Sequence, residues 1–187
     1  MALKLNPDTV IAVEPLWTLS VNWNQNLIGK TMLVANRPVE SVTALSPDEW
    51  TDLRTQIARL TAAVSSLFAP DQFNHAFLMN ANAQVHLHVV PRYRSPRNWQ
   101  GHTFVDPHFG ELYGKEQQIL DGPDLALLTR QIRERLTRGG LHPVEKRSSS
   151  SAAAQKAVSE GSESPLQLCP PQKRVVAHAA SRSRAER

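Results

Sequence analysis

The sequence predicts an α+β domain, an antiparallel sheet with a long helix packed on one face. Three observations carry this. Runs rich in β-formers come in two adjacent pairs, residues 16–22 with 30–36 and residues 74–80 with 84–93. Between the pairs lies one stretch with helical periodicity, residues 46–67. Within the last strand, Val85, Leu87 and Val89 alternate with polar residues, so one face is apolar and suited to be the floor under that helix.

The elements follow in chain order. LWTLSVN and KTMLVAN flank NQNLIG, whose turn residues predict a hairpin. In SPDEW, Ser46 stands at an N-cap, Pro47 at the first helical position and Glu49 three residues after the cap, the pattern of a capping box. Trp50, Leu53, Ile57, Leu60, Val64 and Leu67 then recur every three or four residues as one apolar stripe, and APDQ ends the helix. NHAFLMN and QVHLHVVPRY form the second predicted hairpin, joined by ANA. Residues 95–121 mix aromatics, Gly and Pro; they read as irregular and are a candidate cover for a site. GPDLALLTRQIRERLTRGG predicts a second helix with Leu125, Leu128, Ile132 and Leu136 on its buried side and Gly139–Gly140 as its stop. Trp17, Trp50 and Phe104 read as core, His75 as core or edge packing, and Arg92 as a solvated surface residue.

Composition divides the chain near residue 143. Residues 1–143 carry 13 Lys/Arg against 13 Asp/Glu, whereas residues 144–187 carry 8 against 4, so the net charge of +4 belongs to the tail. That tail is rich in Ser and Ala and has no aromatic residue, which predicts a disordered basic extension beyond a domain of residues 1–143. A neutral domain lacks the electrostatic footprint of a nucleic-acid binder, and the short basic clusters of the tail are interrupted by Glu. No apolar run approaches the roughly 18–20 residues of a membrane span. The start of the chain lacks the basic and apolar segments of a secretory signal. The single cysteine, Cys169, excludes an intrachain disulfide. The expectation is a soluble cytoplasmic protein.

The residues that ask for an explanation are Gln84, His86 and His88, which alternate with the apolar set and so share the opposite face. Three readings are open. The residues are polar groups on a wet sheet face. They are ligands of a metal, although two imidazoles are short of a zinc set and no Asp, Glu or Cys of the motif completes it. Or they serve phosphorus chemistry, in which a neutral imidazole attacks as nucleophile and neighbouring donors hold the oxygens where charge develops.

QVHLHVVPRY resembles the signature of the histidine triad superfamily, His-φ-His-φ-His-φ-φ with φ apolar. The resemblance extends over roughly residues 17–113 and includes RPVES, LSPDEW, NHAFLMN and FVDPHFGELYG, in that order. It is similar above all to the hydrolases related to diadenosine polyphosphate hydrolases. The resemblance implies a compact α+β fold, a homodimer, and cleavage of nucleoside 5′-phosphoryl linkages through a nucleotidyl-histidine intermediate. It implies the nucleophile at His86, phosphate contacts at His88, Asn80 and Gln84, and a nucleotide contact at Asn22. It implies no metal site and no cofactor, with a divalent metal arriving only as the companion of a polyphosphate substrate. The departure is Gln84, where the family has the first histidine; an amide keeps a donor and an acceptor but does not titrate. The alternative expectation is therefore a catalytically weakened nucleotide-binding or sensor protein.

Overall fold

The computed structural model describes residues 3–139. The predicted tail, residues 144–187, lies outside the described residues. Five antiparallel strands form the main sheet: β1 (Val10–Val13), β2 (Trp17–Val21), β3 (Thr31–Ala35), β4 (Gln72–Phe77) and β5 (His86–Arg92), in the order β1-β2-β3-β5-β4. Helix α1 (Pro47–Phe68) connects β3 to β4. A small hairpin, β6 (Arg97–Trp99) and β7 (His102–Phe104), stands apart, and helix α2 (Gly122–Gly139) follows it. No described helix is long and apolar enough to cross a membrane.

The start of α1 is built as its sequence dictates. The Ser46 hydroxyl accepts from Glu49 N, and the Glu49 carboxylate accepts from Ser46 N at 2.7 Å. Arg37 adds a forked pair to the same carboxylate, at 3.1 and 2.8 Å. The hydrogen bond from Arg37, then those at Ser46, pull Glu49 down to about 2. Leu53, Leu60 and Val64 are buried against the sheet, while Ile57 and Leu67 are partly covered. Trp50 departs from expectation. It is 43% exposed and meets Phe77 edge-on, because the buried position at this end of the helix goes to Glu49. Trp17 and Phe104 are fully buried as expected, and the Trp17 indole donates to Glu49 O at 3.1 Å.

The first strand pair folds around a residue rather than a tight turn. Gln25 is fully buried, and its amide bonds Asn22 O, Lys30 O, Gly29 N and Lys30 N. Gly29 has φ +86°, and a Cβ there would lie 2.9 Å from Val64 of α1, so the loop and the helix meet only through a glycine. Three features exceed the sequence reading: β1 at the sheet edge, the β6–β7 hairpin inside a segment expected to be irregular, and a β4–β5 connection longer than ANA, from Leu78 to Val85. His75 lies exposed on the edge strand β4. In α2, Leu128, Ile132 and Leu136 are buried as expected, and Leu125 is half-buried.

The polar character of residue 92 also departs from expectation. Arg92 is fully buried, not solvated. Its guanidinium binds both Asp106 oxygens, at 2.6 and 3.1 Å, together with Asn74 Oδ1 and the carbonyls of Glu111 and His108. A buried guanidinium is tolerable when every N–H finds an acceptor, and here Asn74 of β4 and the segment after β7 supply them. Burial alone would raise the Asp106 carboxyl, but hydrogen bonds from Arg92, Tyr93 N and His108 N outweigh it and hold the carboxyl below its ordinary range.

Candidate functional site

Sheet register decides which side chains meet. Met32 pairs with His88 and Val34 with His86 across β3 and β5, and Ala76 of β4 flanks His88 on the other side. Val85, Leu87 and Val89 are buried on the helix side, so both histidines project from the other face. There a cavity of about 420 Å³ opens, in the range of small-molecule sites.

His86, His88, Asn22 and Asn80 all line this cavity. Asn22 directly follows β2, is 5% exposed and accepts from Asn24 N at 2.9 Å, so its side-chain oxygen is oriented by its own turn. Asn80 lies exposed at the rim, after the chain leaves β4 through Met79 at φ +44°. Ser20, Thr9 and Met32 complete the sheet side. The opposing wall comes from an element that sequence reasoning missed, the N-terminal segment Leu3, Lys4, Leu5 and Asn6, which precedes the 3-10 turn Pro7–Thr9. Nothing in its composition announces it; only the fold brings it there. Among the described lining residues there is no Asp or Glu, and Lys4 is the charged one, which suits an anionic ligand.

The two imidazoles lie 4.9 Å apart at 70°. His86 Nδ1 is 2.8 Å from the carbonyl oxygen of Gln84. A carbonyl only accepts, so Nδ1 carries the proton, and in the neutral ring the lone pair is on Nε2. Burial first, then the charges of His86 and Lys30, lower His88 to about 4. Lys30 is a second residue that the sequence did not single out. It is 7% exposed, donates to Asn26 Oδ1 at 2.8 Å, and burial lowers it to about 8.

Gln84 is placed differently from the other three candidates on its strand segment and rim. It is 6% exposed, precedes β5 and does not line the cavity. Its Nε2 donates to Ala35 O at 2.5 Å and its Oε1 accepts from Leu3 N at 2.7 Å. The amide is thus bonded to Ala35 and Leu3, and the side chain does not line the cavity. His102 pairs with Asp124 and His108 with Glu116, away from the cavity, and no residue of 95–121 lines it. Among the described residues no group of three or more His, Cys, Asp or Glu is arranged to hold a metal.

Known proteins agree with this fold. The HIT domain model matches residues 4–95. Among solved structures, a histidine triad protein of Bradyrhizobium japonicum is 23% identical, with a TM-score of 0.54 over 68% of this chain and 89% of that one. One from Marinobacter aquaeolei VT8 is 19% identical, with a TM-score of 0.55 over 69% and 88%. A hypothetical histidine triad nucleotide-binding protein of Sulfolobus tokodaii is 12% identical, with a TM-score of 0.55 over 70% and 84%. A comparison with curated proteins found no match. With two of the three signature positions held by histidine on one sheet face, and Gln84 at the first, residues 4–95 of the chain form a HIT domain.

Proposed function

We propose that the protein is a nucleotidyl hydrolase or transferase acting on nucleoside 5′-phosphoryl linkages, a dinucleoside polyphosphate or a nucleotide phosphoramidate. The observation that carries this is the His86 contact: Nδ1–H is held by Gln84 O, which leaves the Nε2 lone pair of an imidazole that lines the cavity. That is the arrangement of an imidazole nucleophile with its orienting partner. The Nε2 lone pair forms a bond to the α-phosphorus, and the bond to the leaving group breaks with its electron pair. Water then attacks phosphorus, the N–P bond breaks back to His86, and the nucleoside monophosphate departs. His88 and Asn80 donate to the nonbridging oxygens, and Asn22 faces the ribose side. Gln84 takes part through its backbone carbonyl. No described acidic side chain lines the cavity to oppose the phosphates.

A second reading, a nucleotide-binding protein without turnover, is favoured by one observation: the family's first histidine is replaced by an amide that is tied into the fold. A homodimer is supported by β4, which ends the sheet order with an exposed edge beside the Trp50–Phe77 pair. Incubation with diadenosine tetraphosphate and with adenosine 5′-phosphoramidate, with mass detection of products and of an AMP adduct on His86, separates the readings. AMP release with an adduct on His86 supports the enzyme. Binding without products supports the sensor, and neither binding nor products rejects both.

A further inference from the structure

We propose that Gln84 is a positioning residue that latches the N-terminal segment over the cavity, and so sets affinity for the nucleoside part of a bound nucleotide. The inference rests on the nucleotide reading above and adds a role for the position where this chain leaves the family pattern.

Gln84 makes four hydrogen bonds, each to a different part of the site's frame. Its backbone N–H donates to Asn82 Oδ1 at 2.9 Å in the connection that lines the cavity. Its backbone carbonyl holds the His86 imidazole. Its side-chain Nε2 is fixed to Ala35 O at the end of β3. The one acceptor then left on the amide, Oε1, takes the N–H of Leu3, 81 positions away in sequence. With Nε2 anchored, the amide cannot rotate, so Oε1 is a fixed point presented to the N-terminal segment.

That segment needs such a point. Leu3 and Leu5 line the cavity together with Trp23, Leu78 and Leu125, and add apolar surface to it. Beyond the latch, the segment is next held at Asn6, whose side chain caps the Pro7–Thr9 turn. Two tethers therefore bracket a short extended wall. Without the Leu3 bond its first residues are free to leave, because a terminal segment is ordered only where it is tied down. An aromatic base fits apolar lining, and the imidazoles and amides that line the same cavity fit phosphate and ribose. The latch and the nucleophile meet in one residue, but through different atoms. Losing the Gln84 side chain removes the wall and leaves the His86 carbonyl partner in place.

The test uses the full chain. Gln84→Met keeps the volume and the backbone carbonyl but removes both amide bonds; Leu3→Pro removes the N–H that Gln84 accepts. Amide exchange of residues 3–6 and the Kd of AMP are measured for wild type, both single variants and the double. Each single variant is expected to expose the segment to exchange and to weaken AMP about tenfold, the scale of one lost hydrogen bond. The double is expected to be no weaker than the weaker single, since both remove the same bond. Effects that multiply in the double, or exchange in residues 3–6 that is unchanged by Gln84→Met, overturn the latch. A latch visible by exchange in a protein that binds no AMP upholds the positioning role and rejects the nucleotide reading instead.

Discussion

His86 Nδ1 and the Gln84 carbonyl oxygen, 2.8 Å apart, form a bond between residues two positions apart on one strand segment. The pairing needs no third residue to orient the imidazole, and a glutamine at position 84 leaves it intact, because the orienting atom is backbone. His86→Ala is expected to abolish turnover and the AMP adduct while AMP binding changes by no more than a few fold. Removing one donor to a developing oxyanion, as in His88→Ala, costs roughly a hundred- to a thousandfold in rate. Single-turnover measurement of AMP release from diadenosine tetraphosphate checks both, and wild-type turnover by His86→Ala would reject the mechanism.

His88 predicts a pH dependence of stability. Its folded value of about 4 lies below the ordinary 6.5, through burial first and then the charges of His86 and Lys30. Between these values the unfolded chain binds the proton and the folded chain does not. Stability is therefore untouched by this group above about 6.5, falls as pH is lowered through the window, and stops falling below about 4. Urea midpoints of wild type and His88→Asn at pH 7 and pH 5 check this. The variant should lose less on acidification, and an equal loss in both would show that His88 is not held neutral.

Lys30 gives the same argument with a different window. Burial lowers it to about 8 from 10.5, so the folded state resists its charge at neutral pH. The cost is present in full below about 8 and fades as pH rises toward 10.5. Its bond to Asn26 is neutral–charged and single, and roughly 1–3 kcal/mol of hydrogen bonding does not offset a shift of this size completely. Lys30→Met is expected to melt higher than wild type at pH 7, with the gap narrowing by pH 9.5. A variant that melts lower at pH 7 would show that the lysine is net stabilising.

Much of this was legible in the sequence because it is local. The capping box of Ser46 and Glu49, the stripe of Leu53, Leu60 and Val64, and the alternation that separates Leu87 from His86 and His88 are all set by residues within one element. What was hidden depends on partners distant in sequence. Arg92 reads as surface until Asp106 and the carbonyls of His108 and Glu111 are brought to it. Trp50 has the period of a core residue, but Glu49 takes the buried place because Arg37 and Ser46 satisfy its charge. Leu3 and Leu5 carry no pattern at all, and the partner of Leu3 at the cavity, the Gln84 amide, lies 81 positions away in sequence.

Arg92 and Asp106 have side chains 0% and 1% exposed, so their pairing takes place out of water. Such a pair is costly to form but more costly to break, since removing one partner leaves a buried charge without compensation, at about 3–5 kcal/mol. Arg92→Met would strand the Asp106 carboxylate and release the carbonyls of Glu111 and His108, which tie the segment after β7 to β5. Asp106→Asn would leave the guanidinium its bonds to Asn74, Glu111 and His108 and is expected to cost less. Neither residue lines the His86 cavity, so AMP affinity measured well below the melting temperature should be near that of wild type for both. Urea denaturation of the two variants, with AMP binding in parallel, checks the order. If Arg92→Met unfolds at the wild-type midpoint, the pair contributes nothing to the fold. If it stays folded but loses AMP, Arg92 shapes the site without lining it.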